Sequence, residues 1–216
     1  AIMDIKGPDT ERMLEHLSVA KVGGDTSEGR IIYTNFLDED GGVHADLTIA
    51  RLGEDSYRVI TGGADGNRDW VTLRNYRDDM GLDADINIRT HDVSTLGLWG
   101  PQAKEALGHF IDPNEISIEN FPFVGTKNLT LNLAGGKKID VWAARISYVG
   151  ESGWELYLNN DSEEGLALYD SLLEVGVVPV GIETYANSRR LEKSFRLQGA
   201  DLETEYNACE SAVERP

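Results

Sequence analysis

Asp46, Tyr148, Glu155 and Arg190 sit where chemistry would use them and where folding alone would not ask for them. In Val43-His44-Ala45-Asp46-Leu47-Thr48-Ile49, strand alternation puts Val43, Ala45, Leu47 and Ile49 on one face and His44, Asp46 and Thr48 on the other. Aspartate is unfavourable in strands, so either that face is solvated or the carboxylate serves a site. The run Gly153-Trp154-Glu155-Leu156-Tyr157-Leu158 repeats the question: Glu155 and Tyr157 point away from Trp154 and Leu156, with Tyr148-Val149-Gly150 leading in. A carboxylate among aromatic rings suits a flat heterocycle with adjacent N–H and NH2 groups, held by two parallel charge-assisted hydrogen bonds while the rings stack on it. The alternative is a cross-strand ion pair with a cation such as Arg145. In Ala186-Asn187-Ser188-Arg189-Arg190-Leu191-Glu192-Lys193, helical spacing puts Arg189 and Lys193 on one face. That reads as a solvated helix surface from which one of the adjacent arginines can turn inward to an anionic ligand. Charges threaded through apolar elements are costly to bury unless something pairs with them.

Other chemistries find no support. His16, His44, His91 and His109 are scattered, with no ligand-spaced pair, so no metal site is expected. The segments Gly23-Gly24-Asp25-Thr26-Ser27-Glu28-Gly29 and Thr61-Gly62-Gly63-Ala64-Asp65-Gly66-Asn67 match neither a dinucleotide fingerprint nor a P-loop, so no flavin or nucleotide site is expected. No Gly-x-Ser-x-Gly elbow occurs, and the single cysteine, Cys209, has no neighbouring histidine.

The elements that must carry these residues form a faint repeat. Asp4 to Leu17 and Gly97 to Phe110 each read as a short apolar strand, a Gly-Pro turn and an amphipathic helix, with Gly7 and Gly100 lying 93 positions apart (100 − 7). After the first copy, strands are predicted over 30–37, 43–52 and 57–61, a helix near 67–80 and a strand near 84–91. After the second, strands are predicted over 121–126, 130–133, 138–148 and 153–158, then a helix near 163–175. The expected architecture is α+β: antiparallel or mixed sheets with flanking helices, residues 1–94 as one half, 95–200 as the other, and 201–216 as an extended tail.

The chain has 216 residues, 40% hydrophobic content and a formal charge of −18. It is long enough to bury a sizeable core. The acidity argues against a nucleic-acid partner, and no apolar run is long enough to cross a bilayer. A lone cysteine fits a reducing compartment, so the expected location is cytoplasmic. The start, Ala1-Ile2-Met3-Asp4, lacks an initiator methionine and the features of a signal peptide, as expected for a portion of a longer protein.

Taken in order, Gly7-Pro8-Asp9-Thr10-Glu11-Arg12-Met13-Leu14, Gly41-Gly42-Val43-His44-Ala45-Asp46-Leu47, Leu98-Trp99-Gly100-Pro101-Gln102-Ala103, Ser147-Tyr148-Val149-Gly150-Glu151-Ser152-Gly153-Trp154-Glu155 and Arg189-Arg190-Leu191-Glu192-Lys193 span almost the whole chain. This set resembles the glycine-cleavage T-protein (aminomethyltransferase) family. The Arg190–Tyr206 wording is similar to the folate-binding portions of dimethylglycine dehydrogenase and sarcosine oxidase-like proteins. The resemblance implies an internally duplicated folate-binding unit, normally followed by a C-terminal β-barrel that is missing here. It implies tetrahydrofolate as one-carbon acceptor, an amine donor, and a flavin-binding domain or subunit as partner. By the same resemblance Asp46 is the catalytic aspartate, Glu155 grips the aminopyrimidine end of the pterin, and Tyr148 and Arg190 lie at the folate cavity. The implied reaction moves a one-carbon unit from an aminomethyl or imine donor to tetrahydrofolate. The alternatives are a non-catalytic folate-binding domain of a flavin-linked demethylating dehydrogenase, or a folate-dependent demethylase.

Overall fold

The computed structural model describes residues 1–24, 26–160 and 162–211. The chain is α+β, with two antiparallel sheets in two compact units: Ala1–Thr90 together with the segment from Arg196 onward, and His91–Phe195.

The first unit runs β1 (Ile2–Lys6), α1 (Thr10–Leu17), β2 (Ile31–Leu37), β3 (Val43–Gly53), β4 (Ser56–Thr61), α2 (Gly66–Met80) and β5 (Asp85–Ile88), with sheet order β2-β3-β4-β1-β5. Alternation places Ala45, Leu47 and Ile49 of β3 in the core with Met3, Ile5, Tyr57 and Val59, all 2% exposed or less. Helix α1 closes that core with Met13 and Leu14, and α2 with Leu73.

The second unit runs β6 (Val93–Trp99), α3 (Ala103–Leu107), β7 (Thr126–Asn132), a 3-10 turn (Ala134–Gly136), β8 (Lys138–Ala144), β9 (Gly153–Asn159) and α4 (Ser162–Glu174). A π-helical segment, Thr184–Arg189, then continues into the single turn α5 (Arg190–Glu192). The sheet order is β6-β9-β8-β7. With β1 matched to β6 and β2–β4 to β7–β9, four strands follow the same order in both sheets. The turn leaving the first strand also matches. Gly7, at φ +146°, donates to Asp55 O (3.0 Å) and accepts from Thr10 N–H (3.0 Å); Gly100, at φ +139°, donates to Ser152 O (2.9 Å) and accepts from Ala103 N–H (3.1 Å).

The structure departs from the expected elements in three places. One strand, β7, replaces the two expected over 121–133: Val124 takes φ 54° between Pro122 and Gly125, which breaks regular pairing, while Phe121 is buried. Strand β8 stops at Ala144, because Arg145 turns its guanidinium onto the carbonyls of Ile116, Ser117 and Phe121. The segment from Arg196 to Ser211, expected as the end of the second half plus a tail, packs on the first unit. Leu202 is fully buried against Val43, whose N–H donates to Tyr206 O at 2.9 Å. A Cβ at Gly42 would lie 2.0 Å from Thr204 O, so only glycine admits this approach. Residues 212–216 of the expected tail lie outside the described residues.

Candidate functional site

In the first unit the outward face of β3 is only partly solvated. Asp46 is half-buried, and directly across the register on β2 stands Asn35, 1% exposed, whose Nδ2 makes no hydrogen bond. Burial pushes the Asp46 carboxyl up to about 6, a rise held back by a hydrogen bond from the Tyr33 side chain. His44, on the same face, reaches Thr72 Oγ1 through Nε2 at 3.1 Å, and its backbone carbonyl accepts from Gln198 Nε2 at 3.4 Å. The segment beyond Arg196 thus borders this face. A carboxyl group poised near neutrality among polar neighbours can take or hold a proton, or stabilise an adjacent cation.

In the second unit Glu155 stands on the face of β9 opposite Trp154 and Leu156, which lie in the core. Burial raises its pKa, opposed by the hydroxyl of Tyr157, which donates to Glu155 Oε2. Among the described residues no cation lies within ion-pairing distance of Glu155. The cross-strand pairing with Arg145 does not form. Arg145 clamps the three carbonyls named above, with its guanidinium carbon 5.1 Å from the centroid of the Trp154 ring.

Aromatic rings gather around the carboxylate. Tyr157 meets Trp142 edge-on at 5.0 Å. Tyr148 lies 5.6 Å from Tyr185 and stacks on Phe195 at 6.1 Å, and Tyr185 stacks on Trp99 at 5.2 Å. The Tyr185 phenol is shifted upward by burial, then by the charge of Glu155 and by Tyr148. The structure therefore brings Glu155 and Tyr148 together through a residue that sequence reasoning missed. Tyr185 was hidden because helical spacing gives no warning of the π-helical segment that carries it; such segments are frequent at functional sites.

Arg190 is 4% exposed and its guanidinium bonds backbone, with Nε donating to Ala186 O and Nη1 to Phe195 O at 2.9 Å. It holds the turn in which Ser194 adopts φ 58°, and so fixes the loop that carries Tyr185 and Phe195. Arg189 pairs with Glu151 at 2.7 Å and with Glu192 at 3.0 Å. Asp46 stands in the other unit. No group of three or more His, Cys, Asp or Glu is placed to hold a metal ion among the described residues, and no helix there is long and apolar enough to cross a membrane.

The two antiparallel sheets with their flanking helices make a T-protein-like α+β fold, and comparison with known proteins agrees. The GCVT N-terminal domain family matches residues 1–215. The chain is 34% identical to human mitochondrial dimethylglycine dehydrogenase over 98% of its own length and 23% of the relative's. It is 29% identical to the aminomethyltransferase of Herpetosiphon aurantiacus over 97% of its length and 54% of the relative's. The crystal structure of the glycine cleavage system aminomethyltransferase T from Bartonella henselae superposes with a TM-score of 0.77 at 22% identity, over 96% of this chain and 52% of that one. The chain belongs to the GCVT N-terminal domain family and spans 23% to 54% of the length of these relatives.

Proposed function

We propose that the chain binds tetrahydrofolate and takes part in aminomethyl-type one-carbon transfer. The observation that carries this reading is Glu155: a desolvated carboxylate with no cation in ion-pairing distance among the described residues, bonded by one phenol and flanked by aromatic side chains. A planar aminopyrimidine edge supplies the two adjacent donors such a carboxylate lacks, so the residues present fit the pterin end of the folate. Tetrahydrofolate, when bound, supplies the nitrogens that accept the one-carbon unit. Glu155 orients the ring, Tyr148 and its neighbours exclude water from it, and Arg190 holds the loop that carries them. Asp46, with its carboxyl near neutrality, serves as base or as electrostatic partner to a cationic amine donor. The matching strand order and Gly-Pro turns support descent of the two units from one duplicated element.

Calorimetric titration with tetrahydrofolate tests the reading. Wild type is expected to bind, and Glu155→Gln to bind about tenfold to a hundredfold more weakly, as for loss of a charge-assisted hydrogen bond. Equal binding by the variant would sink the pterin assignment.

A second reading, a folate-binding portion without turnover of its own within a flavin-linked dehydrogenase, is favoured by coverage of only 23% of dimethylglycine dehydrogenase. In that reading a flavin-binding part and a C-terminal barrel, beyond this chain, complete the protein. Turnover of an amine donor with tetrahydrofolate by this chain alone would exclude it.

A further inference from the structure

The matched strands of the two units allow one position to be read twice. In the first unit Arg58 of β4 faces Asp4 of β1 across the register and grips it with both Nε (2.7 Å) and Nη2 (2.9 Å). Arg89 adds a third bond to the same carboxylate at 3.2 Å. The position is a closed ion pair. In the second unit the matched strands pair Glu155 of β9 with Gly97 of β6. Asp4 and Gly97 each precede their turn glycine, Gly7 or Gly100, by the same spacing, so Gly97 stands where the first unit keeps its counter-ion.

The vacated space is not empty. Trp99, two residues along β6 and on the same face, folds back over Gly97 so closely that a Cβ there would lie 2.1 Å from the indole ring. Its Nε1 donates to Ile146 O at 2.9 Å, which fixes the ring's orientation. Tyr185 then lies against the indole with an interplanar angle of 26° and its hydroxyl within the field of Glu155. Where the first unit neutralises its charged residue, the second removes the partner, builds an aromatic stack in its place and leaves the carboxylate with no cation beside it among the described residues, an arrangement that is costly unless a ligand completes it.

We propose that Tyr185 is a specificity-determining contact for a flat, ring-bearing ligand at Glu155, and that Trp99 is its positioning residue, an arrangement that glycine at position 97 makes possible. This rests on the reading of Glu155 as the ligand-gripping carboxylate.

The test is calorimetric titration of tetrahydrofolate into wild type, Glu155→Gln, Tyr185→Phe, Tyr185→Leu, Gly97→Ala and the double variant Gly97→Ala/Trp99→Phe, with thermal unfolding of each. Tyr185→Phe keeps the ring and is expected to bind within about threefold of wild type. Tyr185→Leu keeps bulk without aromaticity and should lose about tenfold in affinity, as for one stacking contact, while still unfolding cooperatively above the titration temperature despite the loss of its contacts with Trp99 and Tyr148. Gly97→Ala displaces the indole and should also lose about tenfold, with the double variant recovering part of the loss. If Tyr185→Leu binds like wild type while Glu155→Gln does not, this inference is overturned and the pterin assignment stands. If both variants bind like wild type, or wild type does not bind, both are overturned.

Discussion

Replacement of Asp46 by asparagine should make the protein more stable at neutral pH and leave it unchanged in acid. The Asp46 carboxyl is raised from an ordinary 3.8 to about 6 by burial. The folded state therefore keeps its proton at pH values where the unfolded chain has lost it, so stability falls as pH rises from about 4 to about 6. Each pH unit of displacement corresponds to about 1.4 kcal/mol, so above about pH 6.5 the ionised carboxylate costs the native state about 3 kcal/mol. Asparagine has the same shape, can still accept from Tyr33, and carries no charge. Urea unfolding of both proteins at constant ionic strength, from about pH 4 to about pH 8, gives the difference directly. Titration of the remaining carboxylates cancels in the subtraction. The expected difference is near zero at about pH 4 and rises to about 2–3 kcal/mol in favour of the variant by about pH 7.5. A difference that does not vary with pH, or a variant less stable at about pH 7.5, would refute the account of a desolvated, functionally retained charge.

Arg145→Met should destabilise by about 3 kcal/mol in urea unfolding, because three carbonyls lose a charged donor. Arg145→Lys should restore part of this, since all three carbonyls converge on the one nitrogen Nη1 and an ammonium also carries three donors; no recovery by lysine would count against the clamp. Gly7→Ala and Gly100→Ala both place a side chain in a backbone region almost reserved for glycine, a strain of about 1–3 kcal/mol. Only at Gly7 does the added Cβ also meet backbone, 2.4 Å from Asp83 O, whereas nothing lies within 4 Å at Gly100. Calorimetric melting should therefore rank Gly7→Ala below Gly100→Ala by about 3 °C or more, and equal melting temperatures would count against the distinction.

Much of the architecture can be read in the sequence because it rests on local rules. Strand period separates Ala45, Leu47 and Ile49 from Asp46, and Trp154 and Leu156 from Glu155, and the same split appears in the core. The two Gly-Pro turns announce two strand-turn-helix openings, and both form with φ values suited to glycine. The ordered motifs were enough to point to the family. Local rules failed where a long-range contact outweighed propensity. Arg145 left its strand for three distant carbonyls, and residues 201–216 read as a tail because Leu202 finds its apolar partner in Val43, far away in sequence.

By itself the sequence determined the α+β class, which face of each strand is apolar, and the two carboxylates as candidates, since alternation and composition carry that information. Only the tertiary structure decided the electrical state of those candidates. Whether a carboxylate on a polar strand face is solvated, paired or stranded depends on what the rest of the chain lays over it, and no local pattern encodes that. Burial raised Asp46, Gly97 left Glu155 without the partner its counterpart Arg58 has in Asp4, Arg145 was committed elsewhere, and a π-helical segment supplied Tyr185.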